Sequence, residues 1–208
     1  MAGWAPDYAD TSELASLVRV EDTLDDAQLA LALTTAIRAI DHACGRLFGQ
    51  LAAVEARYFS ARWDPPRCRW VVPIDDLATS TGLIIAVDTL DDLTYSDTAD
   101  NSLVQLGPRN AIAKGRPWTE LVFHRTSSVQ PTWTEDCVKV TARWGWSSVP
   151  TAIKQATLLQ ASRILARRDS PFGVAGSPEV GSEMRLLARL DVDVAVAVAP
   201  YRRWWGAV

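Results

Sequence analysis

From Leu29 onward, Leu33, Ile37, Ile40, Cys44 and Leu47 recur at intervals of three or four residues. That spacing lines them up on one face of an α-helix about five turns long. Gln28, Thr35, Arg38, His42 and Arg46 fall on the other side, and Gly45 and Gly49 end the pattern. Asp22 and Thr23 offer a cap, and Asp25 and Asp26 suit the positive end of the helix dipole. Upstream, Asp10 followed by Glu13 has capping-box spacing and predicts a short helix over Thr11–Val18. Residues 1–50 therefore read as a helical part with one strong apolar stripe.

Residues 51–146 change character. Runs of β-formers, Ala56–Trp63, Arg69–Ile74, Leu83–Asp88, Glu120–His124 and Val138–Trp144, alternate with turn material such as Asp64-Pro-Pro, Ser80-Thr-Gly and Lys114-Gly-Arg-Pro. Val138, Val140 and Ala142 interleave with Lys139, Thr141 and Arg143, the pattern of a strand with one wet face. The block is expected to be a compact antiparallel β unit inserted between helices.

Helix returns at Pro150, well placed at a helix start because its missing N–H costs nothing there. Ile153, Leu158, Ala161, Ile164 and Leu165 share a broad face, and Ala152, Leu159 and Ala166 fall roughly opposite. A helix apolar on two sides needs two partners. One is expected to be the first long helix, and the other the β unit or a neighbouring subunit. Ser170-Pro171 stops the helix. Ser170–Gly181 reads as a loop and Glu183–Leu190 as one short helix. Val192, Val194, Val196 and Val198 alternate with Asp193, Ala195 and Ala197, which on period is a strand, though the alanines also allow a helix. Residues 147–208 thus form the C-terminal part, and the fold class is α+β: a helical core built from both ends of the chain around an inserted antiparallel β unit.

Chemistry is hard to find in this sequence. There are two histidines, His42 and His124, and neither has metal-ligand spacing. Cys44, Cys68 and Cys137 are odd in number and widely spaced, which fits neither a disulfide framework nor a zinc site. Nothing local assembles Cys68 or Cys137 with His124 into a nucleophilic site. Asp75-Asp76 and Asp91-Asp92, with Asp88 nearby, lack the calcium-loop pattern and read as solubilising loops. Phosphate-cradling glycine motifs are missing, and the glycines at Trp144-Gly-Trp146 read as punctuation. No catalytic residue, metal or cofactor is expected. The N-terminus carries no basic, apolar leader pattern and no segment has the apolar length of a membrane span, so a cytoplasmic origin and no membrane contact are expected.

Other features suggest contact surfaces. The chain has nine tryptophans, and 18 of its 21 basic residues are arginine; both types suit interfaces, though a GC-rich genome gives the same arginine bias. Residues 1–100 carry a net charge of −10 and residues 101–208 one of +6. Such halves either meet head to tail between copies or neutralise each other within one. Near the end, Tyr201, Arg202, Arg203, Trp204 and Trp205 combine aromatic and Arg anchors too densely for ordinary tail packing.

The order of several stretches carries a resemblance. They are Ala43-Cys-Gly-Arg-Leu-Phe48, Leu103-Val-Gln-Leu-Gly-Pro-Arg-Asn110, Gly115-Arg-Pro-Trp-Thr119, Val140-Thr-Ala-Arg-Trp-Gly-Trp146, Val149-Pro150, Arg163-Ile-Leu-Ala-Arg-Arg-Asp-Ser-Pro-Phe-Gly173, Asp191-Val-Asp193 and Pro200-Tyr-Arg-Arg203. In this order they resemble the siphovirus head–tail connector proteins, or head-to-tail adaptors. The order looks like that of the larger adaptors of phages infecting actinobacteria, with a β domain inserted in the helical core. Residues 51–100 match only by architecture.

The resemblance implies a structural virion protein, located in the neck between head and tail, that forms a ring, typically of twelve copies, under the portal protein. It would extend the DNA channel without reading sequence and dock a stopper or tail-completion protein. It also implies a helical C-terminal segment engaging the portal. That sets aside the strand reading of residues 193–199 and makes Tyr201, Arg202, Arg203, Trp204 and Trp205 the portal-contact residues. Ala152, Leu159, Ala166, Trp144 and Trp146 are the expected subunit-interface residues. The competing expectation is a ligand- or carbohydrate-binding module using Trp63, Trp70, Trp118 and Trp133 of the β unit.

Overall fold

A computed structural model describes residues 6–19, 26–168, 174–175, 184–185 and 191–203. The chain divides into two compact units, one of residues 3–48 with 149–208 and one of residues 49–148. The fold class is α+β, with four helices and antiparallel sheets among the described residues.

In the helical unit, α1 (Thr11–Val18) and α2 (Asp26–Cys44) are followed, after the insertion, by α3 (Thr151–Arg168) and α4 (Val192–Val198). Glu13 reaches back to accept from the Asp10 N–H at 3.1 Å, as the capping-box spacing predicts. The cap expected at Asp22 and Thr23 lies outside the described residues. Leu29, Leu33, Ile37, Ile40 and Cys44 are all buried, joined by Ala32 and Ala36. Gly45, at φ +63°, takes the left-handed conformation that ends α2, and its N–H bonds to the Asp41 carbonyl.

Helix α3 packs against α1, α2 and α4, so its partners lie within its own unit. Its buried face is Ile153, Ala156, Thr157, Gln160 and Ala161; Ile153 and Ala161 belong to the expected face, whereas Leu158, Ile164 and Leu165 are only half-buried. Thr157 is tolerated there because its hydroxyl bonds to the Ile153 carbonyl at 2.8 Å. Residues 192–198 are helical, capped by the Asp191 side chain, which accepts from Asp193 N–H at 2.8 Å. Only Val194 and Val198 are buried there; a spacing of four, not two, selects which valines go inside. Of the short helix expected over Glu183–Leu190, only Met184 and Arg185 lie among the described residues, and there the chain is a strand. Met184–Arg185 (β10) pairs antiparallel with Val174–Ala175 (β9), the latter inside the stretch read as loop.

The β unit is two four-stranded antiparallel sheets. In chain order the strands are β1 (Glu55–Phe59), β2 (Arg62–Asp64), β3 (Arg69–Leu77), β4 (Ile84–Val87), β5 (Asp97–Thr98), β6 (Val104–Gly107), β7 (Trp118–Phe123) and β8 (Val138–Ala142). One sheet runs β1-β8-β4-β5 and the other β2-β3-β7-β6. The run expected as one strand, Ala56–Trp63, breaks after Phe59 and sends its halves to different sheets. Val72, Ile74, Leu121 and Phe123 from one sheet and Ile85, Val138, Val140 and Ala142 from the other share one core. The alternation read in β8 holds, with Lys139 and Thr141 on the wetter side.

Candidate interaction surfaces

The C-terminal segment is built onto the end of α2. Phe48 is fully buried, with the Tyr8 ring edge-on at 5.7 Å and the Tyr201 ring edge-on at 5.8 Å. The Tyr8 hydroxyl donates to Asp41 Oδ1 and accepts from the Phe48 N–H at 2.8 Å, while the Arg38 guanidinium forms an ion pair with the other Asp41 oxygen at 2.9 Å. Burial, then the Asp41 hydrogen bond, pushes the Tyr8 phenol far up, so it stays protonated. Burial likewise raises the Asp41 carboxyl and lifts the Cys44 thiol to about 11, which leaves that thiol inert at neutral pH. The Arg203 N–H closes the segment onto the Cys44 carbonyl at 2.8 Å. Tyr201 is thus half-buried in its own unit, Arg203 is half-buried with its backbone tied down, and Arg202 is exposed. Trp204 and Trp205 lie outside the described residues.

The expected subunit-interface residues divide. Ala152 and Leu159 are half-buried and Ala166 is exposed, so they remain open to a partner. Trp144 and Trp146 are not: both are buried in the β unit. The Trp144 indole donates to the Glu55 carbonyl at 2.8 Å and lies under the Arg57 guanidinium. The Trp146 indole donates to the Asp76 carboxylate at 2.8 Å. Their N–H groups find partners indoors, which is why two large amphipathic rings become core. The expectation is corrected: these two hold the sandwich together. Leu31 on α2 and Val192 and Val196 on α4 are instead more than two-thirds exposed. Helical spacing in α4 was the signal for the valines; nothing in the sequence singled out Leu31.

On the β unit the tryptophans of the competing expectation are sorted. Trp63, Trp70 and Trp133 meet edge-to-face, with centroids 5.5 and 4.6 Å apart, whereas Trp118 packs against the core. Beside the cluster lies an open cleft of about 220 Å³ lined by Cys68, Arg69, Phe123, Arg125 and Gln130. Trp133 is 76% exposed, yet its loop is pinned by buried Pro131, by a Thr132–Thr134 hydroxyl pair at 2.6 Å and by the Cys137 thiol on the Thr132 carbonyl.

Asp75, Asp76 and Asp88 have structural roles. Asp75 pairs with Arg57 at 2.7 Å and Asp76 holds Trp146. Asp88 accepts from the N–H groups of Leu90, Asp92 and Leu93. Burial pushes its carboxyl up, but these backbone donors outweigh that and hold it below the usual carboxylate range. His124 bonds Thr126 through Nδ1, Cys68 bonds the Pro65 carbonyl, and Arg163 of the basic stretch on α3 pairs with Asp191. Among the described residues no group of three metal-ligating side chains gathers, and no helix is long and apolar enough to cross a membrane.

No protein-family model matches the sequence, and no curated protein matches it. Among solved structures, a chain from the neck of an empty gene transfer agent (GTA) particle, computed with C6 symmetry, is similar in fold. It has a TM-score of 0.55 at 20% sequence identity, over 99% of this chain and 96% of that one. The fold, helical unit and insertion together, is one that a particle neck contains.

Proposed function

We propose that the protein is a structural component of the neck of a phage-like particle, a head-to-tail adaptor. Its copies form a ring under the portal, extend the DNA channel and dock the next neck or tail component. One observation carries this reading: the likeness to a neck chain spans nearly the full length of both proteins, so the helical unit and the insertion are shared together. The features read from the sequence point the same way. Many weak repeated contacts, not a catalytic step, would supply the function. The six-fold symmetry stated for that neck is compatible with twelve copies, the number the resemblance implies. Portal docking is assigned to the C-terminal end, through Arg202, Trp204 and Trp205, with Tyr201 and Arg203 anchoring the segment to its own unit.

Light-scattering chromatography of the protein, alone and with the portal from the same source, tests this reading. A ring-sized species in either sample is expected. Its portal-dependent part should disappear when residues 204–208 are deleted and Arg202 is changed to Glu. Stopping at Arg203 keeps the Tyr201–Phe48 contact and the Arg203–Cys44 bond, so loss of docking is separable from loss of folding. A strict monomer that ignores the portal refutes the proposal.

A further inference from the structure

The β unit displays a second built feature of opposite charge to the tryptophan cleft. In the loop after β4, Leu90 and Leu93 are 77% and 79% exposed on either side of Asp91 and Asp92. The Asp88 carboxylate holds this loop in shape, accepting from Leu93 N–H at 2.8 Å and from two further backbone donors. Asp91 and Leu93 sit at φ +59° and +63°, a conformation non-glycine residues rarely adopt. Two large apolar side chains and two carboxylates are therefore presented to solvent on a fixed backbone. The cleft presents the counterpart: exposed Trp63 on its wall over a floor of buried Trp70 and Phe123, flanked by Arg69 and Arg125, with exposed Trp133 standing against Trp70 beside it. Neither arginine is in an ion pair among the described residues.

We infer that the Leu90-Asp91-Asp92-Leu93 loop of one copy seats in the Trp63–Trp70–Trp133 cleft of another, with Asp91 and Asp92 facing Arg69 and Arg125. The occupant is a second copy because both halves of the match are on this chain and complement each other in charge and apolarity. Within one copy the loop leaves the cleft empty, since both leucines are open to water. A knob and a socket on one surface form a heterologous contact, which propagates from copy to copy and closes when the rotation allows. Apolar burial holds such a contact, and the paired charges choose its register. The inference rests on the ring reading for its context and adds the surface that would join neighbouring β units.

Disulfide trapping tests it. Cys68 lines the cleft and is exposed, whereas Cys44 and Cys137 are buried. With Asp92→Cys in the full chain, mild oxidation by copper–phenanthroline should give dimers and higher bands on a non-reducing gel. The bands should vanish when Cys68→Ser is added. Arg69→Glu with Arg125→Glu should slow the cross-link at least about tenfold, through like-charge juxtaposition with Asp91. Absence of the cross-link from a preparation that forms the ring-sized species overturns this contact and leaves the adaptor reading standing. A cross-link stopping at dimers, with no ring-sized species in the presence of portal, keeps the contact and overturns the ring. A cleft whose tryptophan fluorescence responds to a chito-oligosaccharide while no cross-link forms is a saccharide site, which also overturns the inference.

Discussion

Changing Gly145 to alanine is expected to destabilise the β unit by roughly 2–6 kcal/mol. Gly145 lies between Trp144 and Trp146 at φ +111°. An added Cβ would overlap the Gly49 carbonyl oxygen and stand 2.9 Å from the Gly49 carbon and 3.0 Å from Gln50 Cα. Every one of those atoms is backbone, so no side chain can swing aside. Three hydrogen bonds tie this crossing: Leu51 N–H to Trp144 O at 2.9 Å, Gly145 N–H to Asp76 O at 2.6 Å and Trp146 N–H to Gly49 O at 2.6 Å. The positive φ alone costs a residue with a side chain roughly 1–3 kcal/mol. Separating the strands to relieve the overlap sacrifices at least two of the bonds, at roughly 0.5–1.5 kcal/mol each. Urea unfolding followed by tryptophan fluorescence is the assay, because six of the nine tryptophans lie in residues 49–148. The midpoint should fall by roughly 1–3 M if the slope is about 2 kcal/mol per M. Gly115→Ala is the control: its φ is +64° with no atom within 4 Å of the added Cβ, so it carries the conformational cost without the overlap. Equal midpoints for the two variants would refute the reasoning.

Phe48→Ala should cost roughly 3–5 kcal/mol of stability in the helical unit, since it empties a fully buried site and removes two edge-on ring contacts. Limited proteolysis after Tyr201 should accelerate with it, and an unchanged cleavage rate would show that Phe48 does not anchor the segment. Acid sensitivity follows from Glu13, whose carboxyl is held below its usual 4.5 first by the Lys154 hydrogen bond and then by the Asp10 N–H. A depressed folded value gives stability that is present above about pH 4.5 and is lost as pH falls through the folded value. Lys154→Gln should therefore flatten the pH dependence of helical stability below pH 4.5, read by circular dichroism; an unaltered slope contradicts the assignment. Asp41, raised by burial, acts in the opposite sense, its protonation favouring the fold.

Much of the architecture was legible because it rests on period. The α2 stripe and the β8 alternation repeat over enough residues for the geometry of helix and strand to show. The failures share a cause: each was decided by contacts distant in sequence. Trp144 and Trp146 looked like surface anchors because an indole carries no mark of whether its N–H will find Glu55 or Asp76. Gln160 and Thr157 displaced Leu158 from the buried face of α3 because three helices surround it. The glycine between the tryptophans read as punctuation, yet it is a steric requirement imposed by Gly49, almost a hundred positions earlier. The exposed partners, Leu90, Leu93 and Trp133, are invisible to periodicity, since only the finished surface reveals what was left outside.

The backbone stitch between residues 49–51 and 144–146 also bears on how the chain reaches its native state. Helices α2 and α3 pack together in one unit, yet about 100 residues of chain separate them. While that length is unstructured, bringing its ends together carries an entropic penalty that grows as the logarithm of its length. Once the sandwich has folded, its two ends are already side by side, and the excursion behaves like a connection of about ten residues. By the same logarithm, this lowers the penalty for joining α2 to α3 by about 2 kcal/mol. A sandwich that folds around its own core would then also act as a clamp, shortening the loop the two helices must close.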